Sequence, residues 1–294
     1  MSQDPRALVQ KAEKTLASAG SGFSLFGGRE QKYRDAADAY TQAANAFRMQ
    51  NQNREAGKAF EASAPIFTQK LDEPDEAASA YLNAYKVYRK ESPEDAARCL
   101  EEAIKYYTGT GNFRRAAKQK EDLGELFEVE LRDPERAIPH YENAAAWYES
   151  DGAQSLANKN WLKVAELSAV AKKPDYYKAI EIFERVAHGS ISSNLMRYSV
   201  KDYLLKAGLC HLATGDLVSA QRALEKYPDL DPTFASTREY QLLVDVTETI
   251  EAGDAEKFAE KLFQYDRMSK LDTWKTTILL VVKSHIEEAD NEFS

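Results

Sequence analysis

Cysteine and histidine are scarce in this sequence, and their scarcity excludes several kinds of site. The 294 residues include only two cysteines and four histidines. Cys99 and Cys210 are far apart and form no CxxC pair, so the sequence predicts neither a disulfide framework nor a zinc site. The histidines show no HExxH motif and no paired spacing that would hold a metal. We expect no metal and no cofactor.

Long apolar runs and a surplus of positive charge are missing too. The longest apolar run, residues 278–282, is far shorter than the ~20 residues that cross a bilayer, and the N-terminus has no apolar stretch of signal-peptide length. The net charge of −9 argues against nucleic acid as the main partner, because phosphate binding needs a concentrated excess of Lys and Arg. We therefore expect a soluble, cytoplasmic protein without a nucleic-acid ligand.

The motifs of common catalytic chemistry are absent as well. No Gly-x-x-x-x-Gly-Lys-Ser/Thr loop occurs, and Phe26-Gly27-Gly28 is too short to cradle a phosphate. Acidic pairs are frequent, but on exposed helix faces they are the ordinary solvated surface and select no catalytic dyad. The sequence predicts a protein that is not an enzyme.

What the sequence does contain is a helical repeat. Only 13 glycines and 9 prolines accompany 43% hydrophobic residues, a composition typical of an all-α protein with a substantial core. The pattern Ala-x-x-Tyr/Leu-x-x-Ala-x-x-x-aromatic begins at Ala37, Ala78 and Ala97, with a looser copy from Ala137. These spacings place small and aromatic residues on one helix face, as in the close helix packing of tetratricopeptide-like solenoids. We interpret the aromatic stripe as core rather than as a ligand site.

The repeat gives way to a different pattern after about residue 190. A polar linker occupies 190–194, and the helices predicted beyond it lack the alanine and tyrosine signature. The patterns predict helices over 198–212, 217–225, 232–250, 255–268 and 274–288, with breaks at Gly215, Pro228 and Gly253. The sequence thus predicts a helical-repeat layer over 1–190 and a compact C-terminal helical bundle over 191–294.

Basic residues recur at helical spacing in three places. Two arginines and a lysine open one predicted helix, and two pairs four residues apart follow, which places each pair on one face: Arg114, Arg115 and Lys118, then Lys159 and Lys163, then Arg197 and Lys201. Equivalent positions of stacked helices can align into one basic band that suits an acidic, elongated partner. Ordinary solvation, with pairing to nearby glutamates, explains each pair equally well.

Two further surface segments stand out. After a well-patterned helix, the sequence ends with acidic residues and a phenylalanine: Glu287, Glu288, Asp290, Glu292 and Phe293. A frayed tail without a specific role would have the same composition. Near the N-terminus, SGFSLFG places Phe23, Leu25 and Phe26 among glycines and serines, which disfavour regular structure. Since loops run over the surface, we expect these three apolar side chains to be exposed for a functional reason.

Taken together, these segments resemble the alpha-SNAP family, the soluble adaptors that attach the ATPase NSF to assembled SNARE complexes. The resemblance covers essentially the whole chain. It rests on the order and spacing of SGFSLFG from residue 21, GNFRRAAK from 111, ANKNWLKVA from 157, YSVKDY from 198 and LDTWK from 271. It implies a twisted sheet of antiparallel helix hairpins followed by a C-terminal bundle. It also implies a protein that recruits NSF and stimulates ATP-driven SNARE disassembly in vesicle fusion and intracellular transport.

The resemblance assigns a role to each surface. Basic side chains would bind the SNARE four-helix rod, with several copies of the protein per complex: Arg114, Arg115, Lys118, Lys159, Lys163, Arg197, Lys201 and Arg238. Acidic residues and one phenylalanine would bind the N-terminal domains of the NSF hexamer: Asp216, Glu251, Asp254, Glu287, Glu288, Asp290, Glu292 and Phe293. The loop at about 20–30 would attach the protein peripherally to the membrane through Phe23, Leu25 and Phe26.

The end of the chain departs from the family pattern. The family commonly closes its acidic run with leucine, whereas this chain closes with Glu292-Phe293-Ser294. Phe293 stands where that apolar role would fall, which leaves the strength of ATPase stimulation open. The alternative function is a generic tetratricopeptide-like scaffold that binds peptides and is unrelated to SNAREs.

Overall fold

The computed structural model describes residues 4–21, 28–193 and 195–292, and within these ranges the chain is α-helical with no strand. The prediction of an all-α protein is therefore confirmed. The α-helices of these ranges are α1 Pro5–Ser21, α2 Gly28–Met49, α3 Asn53–Ile66, α4 Pro74–Tyr88, α5 Pro93–Gly109, α6 Phe113–Glu125, α7 Pro134–Ser150, α8 Gln154–Val170, α9 Tyr176–Ser190, α10 Val200–Ala213, α11 Leu217–Leu230, α12 Arg238–Glu251, α13 Ala255–Met268 and α14 Thr273–Glu292.

The contacts within the chain group it into two compact units, Met1–Ala157 and Asn158–Ser294. This division falls inside α8. The boundary at 190/191 comes from a change in the sequence repeat, which is a different property, and it stays a prediction.

In the first unit each helix packs against the next one in the chain, from α1 through α7. Such packing between neighbours in sequence is typical of helical-repeat proteins. The alanines and most of the aromatic rings of the repeat are buried, among them Ala37, Ala78, Ala97, Tyr107 and Tyr148. The interpretation of the aromatic stripe as core is confirmed for these residues.

Close approach of the helices explains why small residues stand beside aromatic ones. A Cβ atom added at Gly57 on α3 would lie 2.2 Å from Cζ of Tyr88 on α4, and one added at Gly124 on α6 would lie 3.0 Å from the Tyr141 ring on α7. Because Cβ atoms in proteins essentially never lie within 3.0 Å of another heavy atom, an alanine at position 57 would force the Tyr88 ring to move. The rings therefore fill the space that the glycines leave.

Proline and capping side chains define where many helices begin. Proline occupies the start of α4, α5 and α7, where its missing N–H would have had no helical partner. At five helix starts, including that of α7, a side-chain oxygen accepts the backbone N–H three residues on, the usual N-cap arrangement: Asn112, Asp133, Asp175, Asp216 and Asp254.

The core of the second unit is built around α10, which packs against α9, α11, α12 and α14. Its apolar residues are almost completely buried, including Leu204, Leu205 and Leu209. A Cβ atom at Gly208 would lie 2.5 Å from Leu243 on α12, so these two helices also approach closely. Because α10 is surrounded by other helices, its sequence is more apolar than that of the repeat helices.

A network of charges around two buried lysines ties the start of α14 to the same unit. The indole N–H of Trp274 donates to the Glu166 carbonyl at 2.9 Å. The Lys275 ammonium lies 2.7 Å from Asp202 and 3.1 Å from Asp272, and the Lys206 ammonium lies 2.8 Å from Glu166 and 3.1 Å from Asp202. The LDTWK segment is therefore a structural anchor.

The network also shifts two pKa values. Burial opposes the charge of Lys206, but Glu166 and Asp202 outweigh it, and the pKa of Lys206 is raised. Burial likewise opposes ionisation of Asp272, but hydrogen bonds from the Lys275 backbone and ammonium outweigh it, so the pKa of Asp272 is lowered. Both shifts favour the charged forms.

Three predicted helix boundaries in the second unit were wrong. The helix expected over 232–250 begins at Arg238, after a 3₁₀ turn Phe234–Ser236, because Thr237 caps α12 by accepting the Tyr240 N–H. The helix expected over 217–225 continues to Leu230 and contains Pro228 in its last turn. The helix expected over 274–288 extends to Glu292. In contrast, the bounds of α13 match the prediction.

Candidate interaction surfaces

The three basic residues at the start of α6 are exposed, and each already has an acidic neighbour. The Arg114 side chain is 66% exposed and lies 3.2 Å from Asp151. The Arg115 guanidinium lies 4.0 Å from Asp75, and it also stands over the Tyr107 ring. This part of the surface is thus a set of exposed ion pairs rather than a field of unbalanced positive charge.

Lys118 belongs to the same group. Its ammonium lies 2.7 Å from Asp122 and 3.8 Å from Glu121. Burial disfavours its charge, but the hydrogen bond to Asp122 and the negative charges of Asp122, Glu121 and Glu125 together outweigh burial and raise the pKa of Lys118. Burial also raises the pKa of Asp122, despite the lysine. The surroundings therefore favour the charged form of Lys118 and disfavour the charged form of Asp122.

Lys159 and Lys163 lie on α8, as the sequence predicts, and both belong to the second unit. Lys159 is exposed and Lys163 is half-buried. Each interacts with another group of the chain. Their spacing of one helical turn gives them a shared face.

Arg197 and Lys201 lie in two consecutive elements rather than in one α-helix. Arg197 opens a 3₁₀ turn Arg197–Ser199, and Lys201 lies in α10 after it, so the helical spacing of four does not apply. Arg197 lies 3.8 Å from Asp231, and Lys201 lies 3.1 Å from Glu239.

The last basic candidate, Arg238, begins α12 and is exposed. Its guanidinium donates to the Met268 carbonyl at 3.4 Å. The interaction holds the start of α12 to the end of α13, and it leaves most of the guanidinium at the surface.

Sequence reasoning missed two exposed apolar side chains beside these charges. Leu195 is 94% exposed and Tyr198 is 82% exposed, and the Lys201 ammonium lies 5.3 Å from the centre of the Tyr198 ring. Leu195 follows the segment 190–194 that was interpreted as a linker, and Tyr198 was expected to begin a helix. The available signal was the same as at residues 21–27, namely large apolar residues within a polar stretch.

Three of the acidic candidates lie at helix ends of the second unit. Asp216 caps α11 and Asp254 caps α13, and both remain partly or fully exposed. Glu251 ends α12 and accepts a hydrogen bond from the Gln221 amide on α11. This bond brings the end of α12 beside α11, close to the turn that Asp216 caps.

The remaining acidic candidates follow along α14. Glu287 is exposed and pairs with Lys283 at 2.8 Å. The backbone stays helical through Glu292, so the segment interpreted as a tail continues the helix. The side chains of Glu288, Asp290 and Glu292, and all of Phe293, lie outside what the structure describes.

The predicted membrane-attachment loop falls between two described helices. Helix α1 ends at Ser21 and α2 begins at Gly28, and residues 22–27, with Phe23, Leu25 and Phe26, lie outside the described residues. The Arg29 side chain donates to the Ala19 carbonyl at 2.9 Å.

Other kinds of site receive no support from the described residues. In these ranges no group of three or more His, Cys, Asp or Glu side chains could hold a metal ion. No helix in the same ranges is long and apolar enough to cross a membrane. Cys99 and Cys210 are buried, and burial raises the pKa of each to about 12.

The packing of each helix against the next places the first unit in the class of helical-repeat proteins. A solved structure of a signal transduction ATPase with a tetratricopeptide repeat sensor from Pyrococcus horikoshii matches 96% of this chain and 44% of its own, at a TM-score of 0.50 and 16% identity. That likeness concerns the fold alone.

The family follows from sequence. The family model described as "Soluble NSF attachment protein, SNAP" matches residues 3–287. A probable vesicular-fusion protein sec17 homolog of Neurospora crassa is 59% identical over 294 residues, covering 100% of both chains. The alpha-soluble NSF attachment protein of Homo sapiens is 39% identical over 282 residues, covering 96% of this chain and 94% of its own. The chain belongs to the soluble NSF attachment protein family.

Proposed function

We propose that this protein is a vesicle-fusion adaptor that binds assembled SNARE complexes, recruits the NSF ATPase and stimulates ATP-driven SNARE disassembly. It has no catalytic activity of its own. The observation that carries the proposal is the family match over residues 3–287. Exposed charged side chains among the described residues support the proposal.

The basic residues can exchange their present partners for a SNARE complex at little cost. Exposed ion pairs such as that of Arg114 with Asp151 contribute only about 0–1 kcal/mol each. A rod with many closely spaced carboxylates offers each cation a partner while several contacts form together, so avidity favours it. Binding should therefore weaken as salt is added.

The exposed apolar residues add a contact that salt does not screen. Leu195 and Tyr198 expose large apolar surfaces beside Arg197 and Lys201, and burying them against a partner removes that area from water. We infer that this corner of the second unit contacts the rod directly.

The acidic end of the second unit would bind the N-terminal domains of the NSF hexamer. Asp216, Glu251 and Asp254 lie at neighbouring helix ends, and Glu287 leads the acidic end of α14. Opposite charges steer association and fix orientation. Phe293 would supply the apolar contact at the end of the chain.

The loop at about 20–30 would hold the protein at the membrane that carries the SNAREs. Burial of Phe23, Leu25 and Phe26, at about 0.8 kcal/mol per CH₂ group, is enough for reversible attachment. The protein would then be cytoplasmic and peripherally associated with membranes. Several copies would surround one SNARE complex.

Charge reversal on α8 tests the proposal. The double variant Lys159→Glu, Lys163→Glu should lose binding to assembled SNARE complexes in detergent, while its circular dichroism stays that of the wild type. The matched control, Lys226→Glu with Lys270→Glu, changes the charge equally at exposed positions of the same unit and should bind normally. Co-sedimentation at several salt concentrations measures both.

Two outcomes would contradict the proposal. If the α8 variant binds as well as its control at moderate salt, α8 is not part of the SNARE-binding surface. If the wild type ignores SNARE complexes but is captured by short acidic peptides, the generic peptide-binding scaffold is the better function.

A further inference from the structure

A histidine joins the far part of α14 to another helix of the second unit. His285 lies two residues before Glu287, where the acidic segment begins. Its Nε2 atom lies 3.2 Å from the carbonyl oxygen of Ala213, the last residue of α10. A carbonyl only accepts hydrogen bonds, so Nε2 carries the proton and donates.

The acceptor is a group that needs a partner from outside its own helix. The last four carbonyls of an α-helix have no N–H partner within it, and Ala213 ends α10. The bond therefore satisfies a terminal carbonyl of α10 and at the same time restrains α14.

The His285 ring also packs against the turn that leads into α11. Gly215 has a φ of 78°, a left-handed conformation that favours glycine. A Cβ atom built there would lie 3.8 Å from Cε1 of His285. Asp216, the N-cap of α11, follows directly. His285 therefore brings α14, which carries Glu287 and the acidic residues after it, to the turn that holds Asp216.

We propose that His285 is a positioning residue that fixes the direction of the far part of α14 beside the Asp216 turn, so that one basic partner can engage the helix end and this turn together. Ile286 is buried and holds α14 to the unit. The histidine adds direction, since a hydrogen bond depends on geometry and apolar burial does not. The identity of the partner as the NSF N-terminal domain rests on the proposed function; the positioning does not.

The test compares two substitutions of similar size. His285→Leu removes the donor, whereas His285→Gln keeps an N–H donor at comparable reach and should rescue. His188→Leu, an exposed histidine on α9 of the same unit, is the matched control. All variants are made in the full chain.

The first readout needs no partner. Nitroxide labels on cysteines introduced at Val218, an exposed position at the start of α11, and at residue 291 report the distance between the two helix ends. The native thiols are buried and should not take the label. We expect a wider distance distribution for His285→Leu, and an unchanged one for His285→Gln and His188→Leu. An unchanged distribution in His285→Leu would overturn the positioning role.

The second readout is binding of the unlabelled variants to the isolated NSF N-terminal domain. We expect His285→Leu to bind about tenfold more weakly, which equals about 1.4 kcal/mol, with recovery in His285→Gln. Full-strength binding despite a widened distribution would refute the need for the helix end and the Asp216 turn to be held together. If the wild type does not bind NSF at all, the proposed partner is wrong, while the distance measurement still decides whether His285 positions the helix end.

Discussion

Replacing Asp202 by asparagine should lower the stability of the second unit by more than the loss of a single surface ion pair would. The Asp202 carboxylate lies 2.7 Å from the Lys275 ammonium and 3.1 Å from that of Lys206. The two lysine side chains are only 10% and 12% exposed, so neither ammonium can regain full hydration. The Asp202→Asn variant keeps the shape but removes the negative charge between them.

The size of the effect follows from what remains. A hydrogen bond to a charged group contributes about 1.5–3 kcal/mol, and breaking a buried pair costs about 3–5 kcal/mol. Lys206 keeps Glu166, Lys275 keeps Asp272, and the asparagine oxygen can still accept one bond. Asp202 is itself 38% exposed, which reduces the loss further. We therefore expect a loss of about 2–3 kcal/mol.

Urea unfolding followed by far-ultraviolet circular dichroism measures this loss. For a slope of about 2–3 kcal/mol per molar urea, the midpoint should fall by about 1 M. The matched control is Asp266→Asn, which removes a surface pair with Lys270 and should cost about 1 kcal/mol or less. If the two variants lose equal stability, the buried network does not hold α14, and the structural role of the LDTWK segment is refuted.

Three further predictions concern packing, pH and thiol chemistry. Gly57→Ala would place a methyl group against the Tyr88 ring and should cost about 1–3 kcal/mol in thermal unfolding, whereas Gly109→Ala, with nothing within 4 Å, should be neutral; equal effects would contradict the close packing. The lowered pKa of Asp272 means that its contribution to stability is present above its unfolded pKa and is lost as pH falls through its folded pKa. The urea midpoint should therefore decline in acid, less steeply in Asp272→Asn, and identical pH profiles would disprove this. Both native thiols, buried and with raised pKa values, should react with a thiol reagent only after unfolding; rapid reaction of the folded protein would show that one of them is accessible.

The sequence predicted which charged residues lie on the helices, but it did not predict which oppositely charged residues they contact. Helical spacing correctly placed Lys159 and Lys163 on one helix. It could not show that Arg114 lies beside Asp151 or that Lys201 lies beside Glu239, because these partners are distant in the sequence. The two alternatives for the basic residues, binding and ordinary pairing, are therefore compatible: the residues are paired now and exposed enough to exchange.

The sequence by itself determined the helical fold, the core residues of the repeat and the family, since each depends on local periodicity, capping chemistry or the order of motifs along the chain. Only the tertiary structure shows that Trp274 and Lys275 anchor the start of α14 to other helices of the second unit. Likewise, only the tertiary structure shows that Leu195 and Tyr198 are exposed and that His285 lies at the end of α10. The physical reason is distance along the chain: Trp274 and Glu166 are separated by 108 residues, and which buried charges and carbonyls meet depends on how helices pack.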